Sequence, residues 1–311
     1  TAPVCEDGTL ETYKNIANSG TLCAQDKEDA KLTYQLVKEP KRGTVELHDD
    51  GSFTYTPGKN KVGKDSFVFT ATDPAGNVSN EACVKIRILK PADKATYQDM
   101  SGDKDAFAAM WLKDQGLYTG RIIAGNLCFE PDDAVSRGEF VTMALACAGI
   151  PAGDLMMTGF CDDAEIPTWA KGSAVSALQC GLIRGVGTEG GMAFCADEGV
   201  TLSEAATVLN RLLRVTDVDL SDYDAGSADA WSAQAVANLE SVRVIESGSF
   251  SAGDWQRPLT RGEAAQALLS AAQDYNPGVQ RSDILKGYPD GSLALDGTLT
   301  RAQALVMLTR A

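Results

Sequence analysis

Histidine occurs once in this 311-residue chain, as His48, and its eight cysteines include no Cys-x-x-Cys pair. A zinc-type cluster needs several such ligands at short spacing, and a Ser-His or Cys-His catalytic pair needs an imidazole near the nucleophile. Neither is available outside the first 90 residues, and no two of the 43 acidic residues are marked out as a glycosidase-type pair. The chain therefore reads as non-enzymatic, with no catalytic residue, cofactor or metal expected. No apolar run approaches the ~20 residues of a membrane span. No charged-then-apolar leader stands at Thr1, so the chain is expected to be a mature or excised fragment.

Positive charge is scarce in one part only. Residues 1–91 carry 12 Lys and Arg against 13 Asp and Glu, whereas residues 92–311 carry 16 against 30, so nearly all of the net charge of -15 lies in the second part. Such a field repels nucleic acid and anionic lipid and keeps the surface solvated. Cys5, Cys23 and Cys83 fall in the first part; Cys128, Cys147, Cys161, Cys180 and Cys195 fall in the second. Odd counts in both halves give no neat disulfide framework, and pairing of Cys5 with Cys23 or Cys83 stays open.

From Gly20 to about Leu89 apolar residues alternate with period two. Leu32–Val37, Gly43–Leu47, Ser52–Thr56, Asp65–Ala71 and Val84–Ile88 read as strands, with turns at Asp49-Asp50-Gly51 and Asp73-Pro74-Ala75-Gly76-Asn77. About seven short strands in 90 residues imply an all-β sandwich over residues 1–91. On the last strand Val84, Ile86 and Ile88 share the core face, leaving Cys83 outward. Lys90–Lys94 breaks the alternation as a short linker.

The motifs Gly43-Thr44-Val45, Asp50-Gly51-Ser52-Phe53-Thr54-Tyr55-Thr56-Pro57 and Gly63-Lys64-Asp65-Ser66-Phe67 resemble bacterial immunoglobulin-like or cadherin-like modules of cell-surface proteins. That resemblance implies a spacer or adhesive module. Some relatives bind calcium, for which Glu6, Asp7, Asp26, Glu28, Asp29 and Asp73 supply oxygens, although loop carboxylates are more often simply solvated.

After the linker the period becomes helical, and one helix start recurs: Ser136-Arg137-Gly138-Glu139, Thr201-Leu202-Ser203-Glu204, Thr260-Arg261-Gly262-Glu263 and Thr300-Arg301-Ala302-Gln303. Each is a capping box, in which the Ser or Thr oxygen accepts the N3 amide and Glu or Gln reaches back to the cap amide. The caps are 65, 59 and 40 positions apart, which gives repeats over 96–151, 158–215 and 221–275 and a partial fourth over 281–311. Repeat 2 runs Phe160-Cys161-Asp162-Asp163, then Trp169-Ala170, closes its first helix at Gly181 and crosses a loop to Phe194. Gly181 suits a left-handed C-cap. Trp169 reads as lying on one helical stripe with Ala174, Ala177 and Leu178, a core pattern. Repeat 3 has Trp231 but Arg243 in place of the closing glycine, and repeat 1 has Lys104 at the tryptophan position.

These motifs resemble the S-layer homology family: a Phe-x-Asp start, a Trp-Ala helix, a Gly-Tyr-x-Asp-Gly loop seen at Gly287–Gly291, and a Thr-Arg-Ala-Glu second helix. The resemblance implies an all-α body of three repeats in a pseudo-threefold arrangement, extracellular and held at the cell wall or S-layer surface. Its implied partner is a secondary cell-wall glycan bearing pyruvylated sugars; the rival is a protein-protein assembly module contacting other surface proteins. A guanidinium beside a helix N-terminus suits a carboxylate, and an indole offers a flat face to a sugar ring. Arg137, Arg261, Arg301, Trp169 and Trp231 are the candidate ligand-binding residues, with pairing of the arginines to the box glutamates as the plainer alternative. Leu202 interrupts the pattern in repeat 2.

Overall fold

A computed structural model describes residues 1–27, 31–93, 95–222, 231–245 and 254–273. The chain forms two compact units, residues 1–131 and 132–311, so the division falls inside the segment read as repeat 1.

In the first unit, strands β1 (Val4–Cys5), β2 (Gly8–Tyr13), β3 (Asn18–Thr21), β4 (Ala24–Gln25), β5 (Thr33–Lys38), β6 (Gly43–Leu47), β7 (Ser52–Pro57), β8 (Gly63–Thr72) and β9 (Ala82–Leu89) form a sandwich. One sheet has the order β2-β9-β8-β5, the other β3-β7-β6, and β1 pairs with β4. The period-two pattern explains the layers: Phe53 and Tyr55 on β7, Phe67, Phe69 and Ala71 on β8, and Val84, Ile86 and Ile88 on β9 all face the core. Each such large side chain contributes about 1.5–3 kcal/mol by leaving water. Parallel pairing of β2 with β9 brings Gly8 opposite Val84, a contact that local periodicity does not encode.

The two turns close as their residues dictate. Gly51 takes φ 84°, and Asp50 Oδ1 accepts the Ser52 amide at 2.9 Å. Asp73 accepts the Asn77 amide at 2.8 Å and is buried. Its carboxylate is thereby engaged in the turn. Among the described residues no three His, Cys, Asp or Glu groups converge as a metal set; Glu28 and Asp29 lie outside those residues. All eight cysteines are free thiols: Cys5 is buried with its Sγ 3.2 Å from Ser79 Oγ, while Cys23 is exposed.

The segment after β9 is no free linker. Helix α1 (Ala106–Asp114) belongs to the same unit and packs Phe107 against Tyr13, with ring centroids 5.6 Å apart. The Tyr13 hydroxyl donates to Asp114, whose other oxygen accepts the Ala92 amide at 2.7 Å. Lys113 pairs with Asp93 at 2.9 Å. Burial, then the Asp114 charge, pushes the Tyr13 phenol above its usual range. A hairpin of β10 (Arg121–Ile123) and β11 (Asn126–Cys128) follows, and Asp99 grips its exit by accepting the Phe129 and Glu130 amides.

The second unit holds α2 (Arg137–Cys147), α3 (Thr168–Gln179), the hairpin β12 (Val186–Thr188) and β13 (Gly191–Ala193), α4 (Leu202–Leu213), α5 (Ala233–Ser241) and α6 (Arg261–Gln273). The segment before Phe194, expected as a loop, is this hairpin, and Asp162 holds its exit as Asp99 does in the first unit, accepting the Phe194 and Cys195 amides at 2.8 and 2.7 Å. Helix α3 ends in a Schellman closure, with Gly181 at φ 71° and the Leu182 amide on the Ala177 carbonyl. Arg243 closes α5 by the same bonds, at φ 59° despite its Cβ.

Three capping boxes form as the residues predict: Ser136 with Glu139, Thr201 with Glu204, and Thr260 with Glu263. The fourth, at Thr300, lies outside the described residues. The residues preceding the three caps join in a closed ring of backbone bonds. The Val135 amide donates to Leu259, Leu259 to Val200, and Val200 back to Val135, at 3.0, 2.8 and 3.1 Å. All three side chains are buried, so each repeat satisfies its neighbour's backbone where water is excluded. Among the described residues no helix is long and apolar enough to cross a membrane.

Candidate functional site

Arg137 is the first residue of α2 and extends toward repeat 2. Its Nη1 donates to the Phe194 carbonyl at 3.1 Å and to the Cys195 carbonyl at 2.9 Å. Its Nη2 donates to both oxygens of Glu204, at 2.9 and 3.2 Å. The residue is 9% exposed, so the fork is engaged inside the unit rather than offered to solvent. Glu204 thus serves two repeats at once, capping α4 through Thr201 and receiving the guanidinium of repeat 1.

The amides at the start of α2 are also occupied. Those of Arg137, Gly138 and Glu139 donate to the Glu198 carbonyl, the Ala196 carbonyl and Ser136 Oγ. This corrects the expectation of a helix N-terminus open to a ligand carboxylate: the linking segment of repeat 2 already fills it. Arg261 is 1% exposed, and its amide bonds the Asp133 carbonyl at 2.8 Å. Arg301 lies outside the described residues.

The two indoles are placed differently. Trp169 is 53% exposed and Trp231 58%. For Trp169 the core reading fails on geometry: five residues turn a helix by about 140°, so Trp169 and Ala174 lie on different faces. The buried stripe is Ala170, Ala174 and Ala177 instead. The outer edge of the indole lies over Gly138, where an added Cβ would stand 3.1 Å from Trp169 Cη2 and 3.3 Å from Ala170 Cβ. The Ala196 carbonyl would stand 3.1 Å from the same Cβ, so a side chain here would crowd the indole edge and two neighbours.

Trp231 has no such companion in repeat 2. The position matching Arg137 is Leu202, which is buried, and that matching Gly138 is Ser203, whose hydroxyl meets Ser232 Oγ at 3.1 Å. Ser232 follows Trp231 as Ala170 follows Trp169, so the Gly-Ala contact of one junction becomes a Ser-Ser hydrogen bond in the other. The structure therefore brings together Arg137 and Trp169 around Gly138, and leaves Trp231 beside a filled junction. Gly138 and the Phe194 and Cys195 carbonyls were missed from sequence, whereas Glu204 is one of the box glutamates offered there as the arginines' partners. Of the missed groups only Gly138 left a signal, in the change from Arg-Gly-Glu to Leu-Ser-Glu between boxes.

A second ion pair, Arg257 with Glu263, supports the last box. Burial alone would raise the Glu263 carboxyl, but Arg257 and the Thr260 amide hold it below its usual range. Asp163, which accepts Lys171 Nζ at 2.8 Å and both the amide and hydroxyl of Thr158, is pulled down to about 2.

Residues 1–90 match the family model of the bacterial cadherin-like domain. Similar solved structures include the endo-fucoidan hydrolase MfFcnA4 from glycoside hydrolase family 107, at 23% identity over 29% of this chain and 14% of that one, with a TM-score of 0.24. Others are Drosophila N-cadherin EC1-4, at 17% identity over 31% and 28% of the two chains with a TM-score of 0.26, and a mutant of the SrpA adhesin from Streptococcus sanguinis, at 17% over 31% and 65% with a TM-score of 0.25. This chain spans only 14% of the fucoidan hydrolase, and at such TM-scores these likenesses carry no argument about function. No curated protein matches the chain.

Proposed function

We propose that this is a non-enzymatic bacterial surface protein in which a cadherin-like module precedes S-layer homology repeats, and that the junction of repeats 1 and 2 binds a cell-wall glycan. The observation that carries this reading is the half-exposed Trp169 indole lying over Gly138 beside Arg137. A sugar ring stacks its apolar C–H face on such an indole, and its hydroxyls reach lone pairs of Glu204 and neighbouring carbonyls. The ring of bonds through Val135, Leu259 and Val200 supports a pseudo-threefold body, because each repeat supplies the same two backbone groups.

The engaged guanidinium changes the expected ligand. A pyruvylated or other acidic sugar would have to displace Glu204 from Arg137, leaving a partly buried carboxylate without its cation. Stacking on Trp169 with hydroxyl contacts needs no such rearrangement, so recognition rests on the sugar ring more than on its charge.

A second reading, a protein-protein assembly module, draws support from Leu202 and the filled Ser203–Ser232 junction. Co-sedimentation with purified bacterial envelope glycan separates the two. Retention of the wild-type chain that falls at least about tenfold in Trp169→Ala supports glycan binding. A stable oligomer that never sediments with glycan selects assembly.

A further inference from the structure

On an acidic protein, one end of the β-domain is strongly basic. Six of the 12 cations in residues 1–91, namely Lys38, Lys41, Arg42, Lys59, Lys61 and Lys64, fall in residues 38–42 and 58–66 with only Glu39 and Asp65 as counter-charges. All six are exposed, and none of the five lysines joins an ion pair among the described residues.

Asp65 offsets one of these charges but forms no ion pair with them among the described residues. Its carboxylate accepts the Lys41 and Arg42 amides at 2.9 and 2.7 Å and the buried Tyr55 hydroxyl at 2.9 Å, so it is used in building the loop. The two loops are bound together: the Gly58 amide donates to the Arg42 carbonyl at 2.7 Å and Arg42 Nη1 to the Val62 carbonyl at 3.1 Å. Gly43 allows the close approach, since a Cβ there would lie 2.4 Å from the Thr56 carbonyl. Between the loops is a cavity of about 360 Å³ lined by Lys38, Lys41, Arg42 and Lys64, with Glu39, Asp65 and Ser66.

We propose that this cup is a second binding site, taking a carboxylate-bearing polysaccharide. Unpaired ammonium groups held on a fixed frame attract anions without an ordering cost in the backbone. The lining contains neither an aromatic nor an aliphatic side chain. It therefore offers no platform for nucleobases, no apolar pocket for a peptide anchor and no wedge for a bilayer. A polysaccharide needs none of these, because its hydroxyls bond Ser66 and Glu39 while its carboxylates meet the lysines. Its charges are also sparser than those of a DNA duplex, which the net charge of -15 repels. The site is independent of the repeats.

The test measures binding of polygalacturonate to the full chain at about 50 mM salt, with dextran, a short DNA duplex and phosphatidylserine vesicles as separate arms. Wild type should bind polygalacturonate and not dextran. The variant K38Q/K41Q/K64Q should bind roughly tenfold more weakly, as expected for three partly screened contacts. Lys31→Gln, beyond the opposite end of β5, and Trp169→Ala should bind as wild type. If the triple variant does not fold, Lys64→Gln alone should show about a twofold loss. Absence of wild-type binding, or equal binding by the variants at the cup, overturns the proposal. So does tighter binding of the duplex or the vesicles, or a loss confined to Trp169→Ala.

Discussion

Replacing Arg137 by alanine removes four hydrogen bonds that join repeat 1 to repeat 2: two to the Phe194 and Cys195 carbonyls and two to Glu204. Bonds to charged groups are each worth about 1.5–3 kcal/mol, so the four set an upper bound well above the net effect. The Glu204 side chain is a quarter exposed and keeps its bond to the Thr201 amide, so it recovers much of its solvation. The expected loss is about 2–4 kcal/mol, less than for breaking a fully buried pair. With a urea slope of about 2 kcal/mol/M, the midpoint of the second unit's transition falls by about 1–2 M. Glu204→Gln retains the capping pattern but removes the charge, and a double-mutant cycle with Arg137→Ala should show a coupling of about 1–3 kcal/mol. A destabilisation below about 0.5 kcal/mol with no coupling would contradict this, because the guanidinium would then make no bond that matters to stability.

Arg243→Gly should raise thermal stability by about 1 kcal/mol, since it relieves a left-handed residue while keeping the closure of α5; an unchanged or lower melting point contradicts this. Gly43→Ala should destabilise the β-domain, because backbone atoms rather than a flexible side chain meet the new Cβ; wild-type urea stability would contradict that. Asp163 and Asp65 are held below the ordinary carboxylate range, Asp163 by Lys171 and Thr158, and Asp65 by the Lys41 and Arg42 amides against the opposing effect of burial. The unfolded chain then binds more protons below about pH 4, so their stabilisation is present above that pH and is lost as pH falls toward about 2. Melting temperatures recorded over this window should fall less steeply for Asp163→Asn than for wild type; parallel curves would contradict the assignment.

The sandwich was readable because its core residues alternate within single strands, as Val84, Ile86 and Ile88 do. The short strands β1 and β4 and the parallel β2–β9 pairing were not, since they depend on partners far apart in sequence. Capping boxes were readable at Ser136, Thr201 and Thr260 because cap and partner lie three residues apart. The ring through Val135, Val200 and Leu259 uses backbone groups, which no side-chain motif announces. At the candidate site, Trp169 was visible as a residue type but misplaced by a five-residue spacing. The fate of Arg137 depended on two carbonyls almost 60 residues away. The contact between Ser203 and Ser232 replaces the Gly138–Ala170 contact of the other junction, a difference that only the pairing of distant segments reveals.

The proposed function requires a sugar ring to sit on the half-exposed Trp169 indole. Titration of the full chain with solubilised envelope glycan, read by tryptophan fluorescence, addresses this directly. A saturable change that disappears in Trp169→Phe and persists in Trp231→Phe is the predicted result; a change that survives Trp169→Phe, or no change in the wild-type chain, would contradict it.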